Sequence, residues 1–93
     1  MLLNNLVIVG LLVDKPIVLE EDGKKYAVMT LTLKDTNECI DIYLYNELAD
    51  NITAYCNKGD LVGVRGHIVS KDKVLYIWAD KLTFMAGNSK EEE

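Results

Sequence analysis

Apolar and polar positions change period several times along this chain. Leu6 to Val13 is apolar at nearly every position, which a strand tolerates only when both faces are covered. One face can fill a barrel and the other needs a partner. In a small domain that partner is another subunit, because a monomer rarely exposes a continuous apolar patch of this size. Leu6, Val7, Ile8 and Val9 are therefore the candidate oligomer interface. After Pro16, the run Glu20-Glu21-Asp22-Gly23-Lys24-Lys25 has no apolar residue and holds a glycine. It reads as a hairpin connection between Ile17 to Leu19 and a longer strand, Tyr26 to Lys34. In that strand Ala27, Met29, Leu31 and Leu33 alternate with Val28, Thr30 and Thr32, the pattern of a half-buried strand.

Asp35 to Glu38 is a polar turn. Beyond it Ile40, Ile42 and Leu44 face the core, while Cys39, Asp41, Tyr43 and Tyr45 point outward. Glu47 to Asn57 is predicted helical, with Asn46 as N-cap, Leu48, Ile52, Tyr55 and Cys56 on one apolar stripe, and Gly59 as the stop. Leu61 to Val69 and Val74 to Phe84 form a last hairpin joined at Ser70-Lys71-Asp72-Lys73, with Gly63 and Gly66 marking bends or bulges. The prediction is an all-β fold with one short helix between the third and fourth strands. Five strands of this length suit a closed small barrel better than an open sandwich. Residues 1–86 form the domain, and 87–93 read as a disordered acidic tail.

A chain of 93 residues with 49% hydrophobic content makes one domain that is marginal as a monomer, so oligomerisation would help it. No apolar run is long enough to span a membrane, and Met1 to Asn5 lacks the basic start of a secretory signal, so a cytoplasmic location is expected. Cys39 and Cys56 have no second pair, and His67 is the one histidine. Their spacing fits neither a redox motif nor a zinc site, so both read as reduced thiols, Cys56 buried, with no metal or cofactor expected. His67 has no partner carboxylate in sequence and reads as structural. Glu20, Glu21, Glu47 and Asp50 read as solvated charges. Without a catalytic constellation the chain is not expected to be an enzyme.

Three stretches carry a family resemblance. Ile42-Tyr43-Leu44-Tyr45-Asn46-Glu47-Leu48-Ala49, continuing through Tyr55-Cys56-Asn57-Lys58-Gly59-Asp60-Leu61-Val62, resembles the middle of a bacterial single-stranded DNA-binding protein. There a strand ends in Phe-Gly-Lys-Leu-Ala, a short helix ends in Tyr-Leu-Lys-Lys-Gly, and a new strand follows. Asn4 to Leu12 is similar to the family's opening strand, and Ile77 to Phe84 to its closing one. The resemblance implies a five-stranded OB-fold barrel and sequence-tolerant binding of single-stranded DNA in replication, recombination or repair. It also implies a dimer or tetramer built through the first strand. Tyr45 matches the family's base-stacking phenylalanine. Cys39 stands where the family has a stacking tryptophan, Asp41 where many members carry arginine, and Trp78 where valine is usual. The family's tail ends in acidic residues followed by Pro-Phe and recruits partners. Ser89 to Glu93 keeps the acid and lacks that tip, so recruitment through the tail is not expected here.

Single-stranded nucleic acid is held by aromatic rings that accept bases and by cations that follow the backbone. Tyr43 and Tyr45 are the stacking candidates, the alternative being that they cover an oligomer surface or the barrel wall. Tyr76 and Trp78 share a side of the last strand, where packing is favoured over stacking for Trp78. The cationic candidates are Lys24, Lys25, Lys34, Arg65, Lys71 and Lys73. The last hairpin is long and wraps DNA in the family but is a tight turn here, which implies a smaller footprint. The net charge is −5. Ten basic and fifteen acidic side chains fall to nine and twelve when Lys90 and Glu91 to Glu93 are left out, so the folded part is itself acidic. That balance keeps a second reading open: an OB-fold protein-interaction module, of primosome type or as an auxiliary subunit, with weak or no DNA binding. Salt separates the two, since phosphate binding weakens steeply as salt rises.

Overall fold

The computed structural model describes residues 4–84, so the expected tail at 87–93 lies outside the described residues. The elements follow in the order β1 (Leu6–Leu12), β2 (Ile17–Glu21), β3 (Lys24–Leu33), β4 (Glu38–Tyr45), α1 (Asn46–Tyr55), β5 (Leu61–Lys71) and β6 (Val74–Phe84). β1 pairs with β5, β5 with β6, β6 with β4 and β4 with β3. β3 returns to β1 through Leu11 opposite Thr32 and Leu12 opposite Leu31, which closes a ring of five strands. Every pairing is antiparallel except β4 with β6, which run parallel at Tyr43 opposite Trp78. This is the expected OB barrel, with α1 between its third and fourth strands. β2 stands outside the ring, extending β3 as an arm.

Alternation decides what fills the barrel. Ala27, Met29 and Leu31 of β3, Ile42 and Leu44 of β4, and Val62 and Val64 of β5 are buried to 1% exposure or less. Ile8, Ile40, Leu48, Ile77 and Leu82 pack around them. α1 packs on β3, β4 and β6 and inserts Ala49 and Ile52 into the same core, which its C-cap residue Cys56 also joins. No helix among the described residues is long and apolar enough to cross a membrane.

Several sequence expectations change in detail. The helix cap is Tyr45, in extended backbone with φ −82° and ψ 163° and without a side-chain cap hydrogen bond, rather than Asn46. The helix ends at Tyr55, before Gly59. Gly59, at φ 91°, instead serves the turn in which the Asp60 N–H donates to the Asn57 carbonyl, and its own N–H donates to the Leu12 carbonyl at 2.7 Å. Tyr55 is 66% exposed, because the buried face centres on Ala49, Ile52 and Cys56 and Tyr55 sits roughly a quarter-turn from it.

The first hairpin closes more tightly than the six-residue polar run suggests, and the last is the tight turn expected, narrowed to Asp72 and Lys73. Asp22 and Gly23 (φ 53° and 78°), and Asp72 and Lys73 (φ 54° and 66°), form two-residue turns with both residues in left-handed backbone. Glu20 and Glu21 therefore belong to β2 and face Lys25 and Lys24 across the ladder. At Gly66 the β5–β6 register shifts, so that Arg65 faces Lys81 while Gly66 faces Ala79. A Cβ on Gly66 would lie 2.3 Å from the Trp78 carbonyl oxygen, so the expected bulge needs a glycine there. Gly63 sits in regular ladder between Val9 and Thr83 and marks no bend.

Candidate nucleic-acid interface

The strand registers decide which side chains meet on the outside of the barrel. Because alternate residues of β3 and β4 fill the core, Tyr26, Val28 and Thr30 are left outside together with Cys39, Asp41, Tyr43 and Tyr45. Antiparallel pairing sets Tyr26 opposite Tyr45, Val28 opposite Tyr43 and Thr30 opposite Asp41. The single parallel pairing then brings Trp78 of β6 beside Tyr43.

The result is a continuous group of five rings. Tyr45 and Trp78 stack with centroids 4.1 Å apart and planes at 17°. Trp78 lies 5.2 Å from Tyr43 and 6.2 Å from Tyr26. Tyr43 meets Tyr76 edge to face at 5.2 Å and lies 6.5 Å from Tyr26 with the two planes 22° apart. Tyr45 remains 58% exposed. Desolvation within the group raises the Tyr43 pKa above the usual phenol value, with smaller contributions from Tyr76, Asp41 and Tyr26. Each ring lies against at least one other, and the group offers π-faces to any base.

Tyr43 and Tyr45 thus stand where the sequence placed them, while Tyr26, Tyr76 and Trp78 join them through register. The cations are scattered around this face. Lys71 ends β5 and Lys73 lies in the two-residue turn of the β5–β6 hairpin, whose strands pair Lys71 with Val74 and, further in, Val69 with Tyr76. Lys24 faces Glu21, and Lys25 faces Glu20 and lies 3.6 Å from the Asp50 carboxylate. Those two lysines are matched by acids. Lys34 lines a cleft of about 350 Å³ beside Val7 and Val9. Arg65 lies opposite Val7 on one side and Lys81 on the other, beside Val9 and Thr83. Both therefore border β1 rather than the rings.

On β1 itself Val7 and Val9 are 71% and 47% exposed, whereas Ile8 packs against the core and Leu6 is half-buried. The outward apolar strip is therefore Val7 and Val9. His67, expected to be without a carboxylate partner, pairs through Nδ1 with Asp80 Oδ2 at 3.0 Å across the β5–β6 ladder. No group of three or more potential metal ligands converges among the described residues.

The fold is shared with solved structures of single-stranded DNA-binding proteins. The mitochondrial protein of S. cerevisiae superposes with a TM-score of 0.82 at 17% identity, covering 92% of this chain and 97% of that one. A Plasmodium falciparum SSB in complex with single-stranded DNA matches with a TM-score of 0.72 at 22% identity, over 91% of this chain and 96% of that one. Wild-type protein from Thermus aquaticus matches with a TM-score of 0.77 at 22% identity, over 95% of this chain and 46% of that one. At these identities the likeness is one of fold. No curated protein sequence matches this chain. The family model described as the single-strand binding protein family matches residues 3–75, and the chain belongs to that family.

Proposed function

We propose that this chain binds single-stranded DNA without requiring a defined sequence, in replication, recombination or repair in the cytoplasm. The observation that carries the reading is the joined ring surface of Tyr26, Tyr43, Tyr45, Tyr76 and Trp78 on the outer face of β3, β4 and β6. Bases stack first on the exposed side of Tyr45, whose other side rests on Trp78. Lys71 and Lys73 take phosphates at one end of that face, and Lys34 and Arg65 take them toward β1. Lys24 and Lys25 contribute less, because acids already face them. With a net charge of −5, stacking supplies more of the affinity than phosphate neutralisation does.

The chain works as a homo-oligomer, a dimer or tetramer, through the outward strip at Val7 and Val9, where a second copy covers apolar surface that water otherwise meets. The activity is binding and not turnover. The runner-up, an OB-fold module that binds protein, draws support from the net charge of −5 and from Asp41, an acid set beside the rings Tyr43 and Tyr76.

Titrating a fluorescent oligo-dT of about thirty-five nucleotides tests the reading, since it spans several OB-fold sites. Binding should weaken with salt and on Tyr45→Ala or Trp78→Ala. No binding at low salt would transfer the chain to the protein-interaction reading.

A further inference from the structure

Asp41 occupies an unusual place for an acid in a DNA-binding face. It projects from β4 two residues before Tyr43, and its Oδ1 accepts a hydrogen bond from Thr30 Oγ1 at 2.7 Å across the β3–β4 ladder. That bond holds the carboxylate in one orientation. Oδ2 takes no hydrogen bond from the described residues, and no cation lies within ion-pair distance of Asp41 among them. Beside it opens a cleft of about 490 Å³ walled by Cys39, Tyr43, Leu75 and Tyr76.

A carboxylate accepts hydrogen bonds and donates none. It repels phosphate, so the strand cannot pass with its backbone against Asp41, and what faces the acid is a base edge. Cytosine, adenine and guanine each present an amino group there, and an acidic side chain accepting from the cytosine N4 amino group is an established mode of base recognition. Thymine offers only N3–H, flanked by two carbonyl oxygens that the carboxylate repels. The Tyr43 and Tyr76 rings supply the stacking surface that brings such a base to the acid.

We propose that the cleft at Asp41 is a base-selecting subsite, which takes an amino-bearing base in preference to thymine. It rests on the single-stranded DNA reading above and adds to it a preference at one position. Thr30 acts as a positioning residue by holding the carboxylate.

The test compares oligo-dC with oligo-dT, each of about twenty-five nucleotides so that several OB-fold sites are spanned. Both are titrated at one fixed salt concentration with wild type, Asp41→Asn and Thr30→Val. All three proteins are checked by circular dichroism, which the exposed position of Asp41 leaves unchanged. The ratio of oligo-dC to oligo-dT affinity should fall by about tenfold from wild type to Asp41→Asn, whose amide oxygen stays on Thr30 and whose NH2 donor replaces the free charged acceptor. Oligo-dT affinity should rise in that variant as the repelling charge is removed. Thr30→Val should give an intermediate ratio. A ratio that Asp41→Asn leaves unchanged, with both oligonucleotides bound, overturns the subsite and leaves DNA binding intact. Failure of wild type to bind either oligonucleotide at low salt overturns both.

Discussion

Tyr45 and Trp78, from opposite halves of the chain, stack ring on ring at 4.1 Å with their planes 17° apart. Tyr45 ends β4 and caps α1, so its backbone is held on both sides. Trp78 is held by its pairing to His67 and its place beside Tyr43. Removing either ring should lower affinity for oligo-dT by about 1–3 kcal/mol, as for a stacked base. The double variant should lose less than the sum, because each ring supports the other. Fluorescence titration of the four proteins checks this, and strict additivity would show that the rings act separately.

The remaining cations should declare themselves through salt. Lys71→Gln and Lys73→Gln are each expected to reduce the slope of log affinity against log salt by about 0.7, the value for one released counterion on a single strand. Lys24→Gln and Lys25→Gln should leave the slope unchanged, since acids already face those lysines. Equal changes at all four positions would place the β2–β3 arm on the DNA path.

Val7→Glu together with Val9→Glu places two charges on the outward strip of β1 while Ile8 keeps its place in the core. The expected result in sedimentation is a shift from oligomer to single chains with an unchanged circular dichroism spectrum. A wild-type protein already sedimenting as one chain would remove the oligomer from the proposal.

Gly66→Ala would drive a methyl group against the Trp78 carbonyl, 2.3 Å from the Cβ position. Backbone cannot swing aside as a side chain can. The substitution is expected to cost about 1–3 kcal/mol in urea unfolding, as other overpacked sites do, and to disturb the Tyr45–Trp78 stack, which near-ultraviolet circular dichroism reads.

The two thiols should behave differently. Cys56 is buried against the barrel, and desolvation, with a smaller contribution from Asp60, raises its pKa above the ordinary thiol value. Cys39 is exposed. A thiol reagent should label Cys39 in the native protein and reach Cys56 only on unfolding. Because the folded-state pKa of Cys56 is the higher one, the unfolded chain ionises first as pH rises. Its contribution to stability is therefore complete below the ordinary thiol range and is lost as pH climbs through the raised value. Cys56→Ala should flatten the alkaline end of the stability profile, and an identical profile in the variant would refute the assignment.

Much of the barrel was legible because period-two alternation is a local property. The run from Ala27 to Leu33 and that from Ile40 to Leu44 each state which residues turn inward, and burial follows them. The outward rings Tyr43 and Tyr45 could be read in the same way. Trp78 could not be placed, nor Tyr26 joined to Tyr45, because those neighbours are set by which strands pair and in what register. His67 and Asp80 are likewise separated in sequence and meet only across the β5–β6 ladder. The charges of the β2–β3 arm read as a loop, because a six-residue polar run looks like one. Its two-residue turn puts four of those residues into strand, where Glu20 and Glu21 face Lys25 and Lys24.

The sequence by itself therefore determined the order of the main elements and the inward residues of β3 and β4, since a side chain's face follows from its neighbours along the chain. The tertiary structure alone decided which outward residues share a surface. Closing the ring joins β4 to β6 in parallel, and only that pairing gathers rings from three strands beside Asp41 while leaving Arg65 and Lys34 on the β1 side. Proximity across a closed sheet depends on register, and register is settled by packing the whole core at once rather than by any one segment.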